Sequence, residues 1–159
     1  MYHEQSLSIF RESGDRLGEG RTLLNIGNTH AALGDARQAI VYHDQALVIA
    51  REIGDRHGES GALGNLGSNH QMLGDTREAI KYYEQQLVIT REIGDQRGEG
   101  TALWNSALAH ESMGNRPEAI TRATSALAIY DSIEDPHAAK VRARLAEWHS
   151  GGDSDRAAD

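Results

Sequence analysis

No cysteine occurs anywhere in the chain. Disulfides and thiolate chemistry are thereby excluded, and a reducing compartment is compatible. Basic charge is also short: 16 Lys and Arg stand against 24 Asp and Glu, a net charge of −8. A general nucleic-acid binder needs a basic face and a polybasic membrane anchor needs a basic cluster, so both are disfavoured. No apolar run approaches the ~20 residues that span a bilayer. The start, YHEQSLSIF, lacks the basic end and apolar core of a signal peptide. The expectation is a cytoplasmic protein with no membrane contact and no nucleic-acid partner.

What the chain has in abundance is repetition. Residues 54–93 read GDRHGESGALGNLGSNHQMLGDTREAIKYYEQQLVITREI, and residues 14–53 read GDRLGEGRTLLNIGNTHAALGDARQAIVYHDQALVIAREI. Aligned without a gap, 23 of the 40 positions are identical. Residues 94–133 keep the skeleton with more drift. Self-similarity at a fixed period of this size signals a stacked repeat, in which each unit contacts mainly its neighbours. Before the first full unit, Tyr2, Gln5, Leu7, Ile9, Arg11 and Glu12 match Tyr42, Gln45, Leu47, Ile49, Arg51 and Glu52 at the same offset. Residues 1–13 therefore read as the second helix of a truncated repeat. An excerpt from a longer array and a natural half-repeat fit this equally.

Each unit reads as two helices. In the central one Gly54 closes the preceding helix and Asp55 caps the next. Leu63, Leu66, His70 and Leu73 recur at helical spacing as one stripe. Gly74 and Asp75 then repeat the stop and start, and Ala79, Ile80, Tyr83, Leu87 and Thr90 continue the seam. Such short connections force antiparallel neighbours. Gly27 and Gly67 fall inside helices, where glycine costs ~1 kcal/mol relative to alanine. Close approach of the partner helix is the expected compensation, with Ala39 and Ala79 facing them, and Ala119 facing Ala107 in the third unit. Pro117 is tolerated in the first turn of its helix. Glu134-Asp135-Pro136 breaks the Gly-Asp rule and starts a last helix over 136–149, with Ala138, Val141, Leu145 and Trp148 on one stripe. A charged end helix of this kind solvates the open face of a solenoid. Residues 150–159, SGGDSDRAAD, read as a disordered tail by composition.

These units resemble the tetratricopeptide repeat. The central unit carries the pattern in Leu63, Leu66-Gly67, His70, Gly74-Asp75, Ala79, Tyr83 and Leu87, and the resemblance covers residues 2 to about 149. The period is 40 where 34 is commoner. His30, His70 and His110 stand at the usual tyrosine, Gln86 replaces a small residue, and the closing proline is absent. The long form with GDRxGE between units is similar to adaptor arrays of the LGN/Pins type and to sensor arrays of bacterial signal-transduction ATPases and regulators. The resemblance implies an all-α, right-handed superhelix of about eight helices. It implies a scaffold that binds a protein or peptide, such as an extended segment, in the concave groove lined by first helices, within a larger signalling or regulatory protein.

In related arrays a ladder of asparagines faces that groove, and Asn25, Asn65 and Asn105 stand at one register here. An amide that both donates and accepts matches a peptide group. The same residues also suit bonds between adjacent helices. Arg21, Asn28, Ser68, Met72, Leu108 and Glu111 lie one helical turn away, as do Gly61, Gly64, Gln71, Thr101 and Ser112. Trp104 replaces Leu24 and Gly64, so the fold does not require a ring there, and a part-exposed Trp is a typical binding anchor. His30, His70 and His110 share one register, but units offset by roughly 10 Å cannot bring three ligands to one ion at ~2 Å. They read as packed rings, with His137 and His149 solvated. No metal, no cofactor and no catalytic group is expected: there is no phosphate loop after a strand and no nucleophile–base pair. The alternative is a self-association module, docking a second copy on an apolar N-terminal edge of Leu7, Ile9 and Phe10.

Overall fold

The caps cut the chain where the Gly-Asp pairs predict. The structure, a computed structural model, describes the backbone of residues 2–156 and the side chains of residues 5–150. Among the described residues there are eight helices and no strand. They are α1 (Tyr2–Ser13), α2 (Arg16–Ala32), α3 (Ala36–Ile53), α4 (Arg56–Met72), α5 (Thr76–Ile93), α6 (Gln96–Ser112), α7 (Arg116–Ser132) and α8 (His137–Arg156). Asp15, Asp55 and Asp95 each accept from the backbone N–H three residues on, at 2.9–3.0 Å. Asp75 sits at the cap position of α5, but its side chain makes no capping bond. Gly54 takes the left-handed conformation at φ 70° that ends α3. Glu134 takes the same conformation at φ 54° without the freedom of glycine, so the drifted last turn keeps the geometry at a cost of ~1–2 kcal/mol.

The helices pack as hairpins, α2 on α3, α4 on α5 and α6 on α7, with α3 against α4 and α5 against α6 joining one hairpin to the next. First helices also touch across units, α2 to α4 and α4 to α6, whereas no comparable contact links α3 to α5 or α5 to α7. The stack therefore curves, with first helices on its inner wall and second helices on its outer wall. The α8 stripe of Ala138, Val141, Leu145 and Trp148 is buried, and α8 packs on α7. Its backbone stays helical through Arg156, past the expected end at 149 and into the segment read as a disordered tail. Extending an existing helix is cheap per residue, and no proline follows Pro136 to stop it. Residues 157–159 lie outside the described residues.

Rings over missing methyl groups set the spacing within the first two hairpins. A Cβ on Gly67 would lie 2.5 Å from Tyr83 Cε1, and one on Gly27 would lie 2.4 Å from His43 Cδ2. The close partners are thus the rings, not Ala39 and Ala79 as the sequence suggests. Those alanines are buried, but the rings lean across the interface to the glycine backbone. In the third unit Ala107 faces the same space and Ala123 replaces the ring, and both are fully buried. Leu73 leaves its stripe: as the residue that closes α4 it is exposed, like Leu33 and Met113 at the same register.

The GDRxGE motif is an ion-pair clamp between units. Glu59 is buried and accepts from Arg51 Nε at 2.8 Å and from Arg56 Nη1 at 2.5 Å. Arg56 reaches on to Glu92. Glu19, Arg11, Arg16 and Glu52 repeat the arrangement one unit earlier. Burial pushes the Glu19 carboxyl up, but hydrogen bonds from Arg11 and Arg16 outweigh it and hold the group below the usual carboxylate range. Exposed pairs such as Arg16–Glu52 contribute only ~0–1 kcal/mol, so the buried carboxylate is the part that demands its arginines. In the third unit Gln96 replaces the second arginine and the clamp shrinks to Arg91–Glu99.

Gly67→Ala should lower stability. Overpacking against Tyr83 costs ~1–3 kcal/mol, and the ~1 kcal/mol gain in helix propensity does not cover it. Combining it with Tyr83→Ala, which copies the third unit, should cost clearly less than the sum of the two single changes. Urea unfolding of the four proteins measures the coupling; strict additivity would contradict the ring-over-glycine contact.

Candidate functional site

Exposed positions on the first helices fall on one face at intervals of three and four residues. They are Arg21, Asn25 and Asn28 on α2, Gly61, Asn65, Ser68 and Met72 on α4, and Thr101, Asn105 and Leu108 on α6. Each is exposed or half-buried on the inner wall. The register expected from the repeat is thus present as geometry, but its members differ in what they touch.

Around Asn65 the wall is tied into the core. Asn69, almost fully buried, donates its amide to His43 Nδ1 at 2.8 Å. With Nδ1 accepting, the ring proton sits on Nε2 and is donated to Asn28 Oδ1 at 3.2 Å. Asn65 Nδ2 donates to the same Asn28 oxygen at 3.0 Å. Its approach of 3.4 Å to His43 Nε2 is then a contact between two donors and not a bond. Asn28 Oδ1 is used twice, which leaves the Asn28 amide N–H groups and Asn65 Oδ1 as a donor and an acceptor side by side. Asn65 therefore links helices from its place on the inner wall, whereas the side chains of Asn25 and Asn105 make no hydrogen bond among the described residues. Ser68 Oγ donates to the Gly64 carbonyl at 3.0 Å, and the Tyr83 hydroxyl, 3.4 Å from Ser68 Oγ, donates to Gln71 Oε1 at 3.0 Å.

At the other end the wall is apolar. Trp104 is only 5% exposed, not the part-exposed anchor that its substitution pattern suggests. Helix α8 covers it, and the Trp104 and Trp148 rings lie 6.2 Å apart at 33°. Trp104 still forms part of an open pocket of about 320 Å³ with Leu108 on α6 and Lys140, Ala143, Arg144 and Glu147 on α8. Glu111 sits 3.8 Å from Arg144, which also bonds Glu147 at 2.8 Å. The α8 residues were invisible to repeat reasoning, because α8 copies no other unit.

The histidines at the shared register do not converge. His30 stacks on Tyr42 at 5.3 Å and His70 on Tyr82 at 5.2 Å. His110 has Arg122 where the others have tyrosine; burial first, and then that cation, push its imidazole down. Among the described residues no group of three His, Cys, Asp or Glu could hold a metal ion. His137 is more than solvated, since its ring stacks on Tyr130 and bonds Asp135 Oδ1 at 2.7 Å. No helix of the described residues is long and apolar enough to cross a membrane.

Comparison with known proteins points one way. The family model described as tetratricopeptide repeat matches residues 1–52, 21–92 and 59–132. The apo form of RapI is similar in structure at TM-score 0.88 and 14% identity, over 96% of this chain and 43% of that one. The tetratricopeptide repeat domain of Arabidopsis FLU gives TM-score 0.71 and 24% identity, over 74% of this chain and 98% of that one. A signal-transduction ATPase from Pyrococcus horikoshii with a tetratricopeptide repeat sensor gives TM-score 0.72 and 21% identity, over 97% of this chain and 28% of that one. The chain thus spans less than half of RapI and of the ATPase. At these identities the likeness is one of fold.

Burial pushes the His43 imidazole down, against the hydrogen bond with the Leu24 backbone that favours its charged form. The unfolded chain takes up this proton near pH 6.5. Below that pH the unfolded state binds more protons, so the stability due to a neutral His43 is complete above about pH 6.5 and falls as pH drops toward the folded value. His43→Tyr copies the ring of the second unit and removes this titration. Urea midpoints between pH 5 and 7.5 should therefore fall less steeply with acid in the variant than in the parent; parallel profiles would contradict a neutral His43.

Proposed function

The chain belongs to the tetratricopeptide repeat family, and from its inner wall we propose that it is a non-catalytic scaffold that holds an extended protein or peptide segment. The observation that carries the reading is the bond from Asn65 Nδ2 to Asn28 Oδ1, fixed from behind by His43 and Asn69, which leaves the Asn28 amide N–H groups and Asn65 Oδ1 to face a ligand. A peptide group presents the complementary acceptor and donor, and amides held in place lose little freedom on binding. Asn25 and Asn105 extend the row to either side with uncommitted side chains. The family's interaction role and the sensor array of the Pyrococcus ATPase support placing such a module inside a larger signalling or regulatory protein of the cytoplasm. A binding role is favoured over catalysis because the most buried histidine, His43, is held by amides and faces no nucleophile.

Self-association through α1 is the weaker reading. Leu7 is buried, and the Phe10 ring packs where a Cβ on Gly18 would stand, 2.5 Å from Phe10 Cδ1. Of the three expected edge residues only Ile9, at 62%, is well exposed.

Random peptides selected on the immobilised chain and titrated calorimetrically against it test the scaffold reading. Asn25→Ala combined with Asn105→Ala removes two groove bonds of ~0.5–1.5 kcal/mol each, so affinity should fall roughly 5- to 150-fold. Thermal stability should not fall, because neither amide bonds another residue and alanine is the better helix former. Undiminished affinity would sink the amide row as the ligand contact.

A further inference from the structure

The groove is not uniform along its length, and the difference specifies what it holds. At one register Asn28, Ser68 and Leu108 occupy the same position in successive units, so the wall passes from amide to hydroxyl to hydrocarbon. Beyond Leu108 the α6–α8 pocket, with Trp104, Leu108 and Ala143 as its apolar lining, has about 320 Å³. That is the low end of the ~300–1,000 Å³ of ligand pockets and has room for one large side chain. Charge at this end is equally asymmetric. Both carboxylates, Glu111 and Glu147, lie against Arg144, and the Arg144 guanidinium also sits 5.7 Å from the Trp148 ring centroid. Lys140, exposed on the pocket rim, makes no ion pair among the described residues. Arg21, at the far end of the wall, likewise makes none. The uncommitted charges along this wall are therefore cations, on a chain whose net charge is −8.

Resting on the groove-binding reading above, we propose that the α6–α8 pocket is a specificity site that takes one apolar side chain of an extended acidic segment, with Lys140 pairing to a carboxylate beside it. The distance to the amide pair gives the motif its length. Two units separate Asn28 from Leu108, about 20 Å at roughly 10 Å per packed helix, and an extended chain advances ~3.3 Å per residue. The apolar residue thus falls roughly six residues from the point held at Asn28 and roughly three from the point held at Asn65. The amide end binds any sequence; the pocket end selects.

The chain carries its own reporter. It has two tryptophans, and they are Trp104 and Trp148, which meet at this seam. A peptide library without tryptophan, selected on the whole chain, should return peptides with an apolar residue next to Asp or Glu, and these should change tryptophan emission on titration. Leu108→Ser, which copies the second unit at a position the fold already builds with serine, should weaken them at least tenfold. Lys140→Glu, at an exposed site, should switch the selected neighbour from acidic to basic. Peptides that bind without an emission change and are indifferent to both substitutions would overturn the pocket while leaving the groove reading intact. Recovery of no binding peptide would overturn both. Emission that depends on protein concentration in the absence of peptide would assign the pocket to a second copy and overturn the proposal.

Discussion

The close approach of a ring to a glycine backbone is the contact on which the hairpin geometry depends. His43 over Gly27 and Tyr83 over Gly67 bring first and second helices nearer than two ordinary side chains allow. The third unit reaches the same end with Ala107 and Ala123. The rings also extend beyond the core. His43 engages Asn28 and Asn69, and the Tyr83 hydroxyl engages Ser68 and Gln71. Helix spacing and the polar contacts of the inner wall are therefore coupled through the same two side chains.

Between hairpins the constraint is different in kind. A buried glutamate held by one arginine from the preceding helix and one from its own first turn recurs at Glu19 and Glu59. A carboxylate buried this way is costly if either arginine moves, so it favours one angle between units over its neighbours. The third unit has lost one arginine, and Ser106 and Ala123 stand where the earlier units have larger side chains; there α8 adds cover, with Trp148 against Trp104. Arg122, in the place of a tyrosine, reaches Ser106 at 3.0 Å and Glu84 in the preceding unit. Drift in the repeat is thus matched by new contacts to the end helix and to the unit before.

The repeat and its caps were legible because they rest on local chemistry. Gly54 and Asp55, or Gly94 and Asp95, announce their turns within two residues. The shared face of the first helices was legible too, since Asn25, Asn65 and Asn105 return at a fixed period. Three features were not. The partner of Gly67 could not be read from spacing, because Ala79 and Tyr83 share a face and only the reach of the ring decides between them. The tie from Asn65 to Asn28 crosses units, where periodicity carries no distance. Trp104 read as exposed because its counterparts are small, yet its burial depends on α8, a helix with no copy elsewhere in the chain against which its docking could be inferred.

An inner wall of first helices with a polar half and an apolar half is what these contacts build, and the claim that it is the working surface is open to direct measurement. Backbone amide chemical shifts of the labelled chain, followed while a selected peptide is added, locate the surface residue by residue. The account predicts perturbations along α2, α4, α6 and α8, largest near Asn28, Asn65, Leu108 and Lys140. Perturbations concentrated on the outer faces of α3, α5 and α7, around Val48 and Val88, would contradict it.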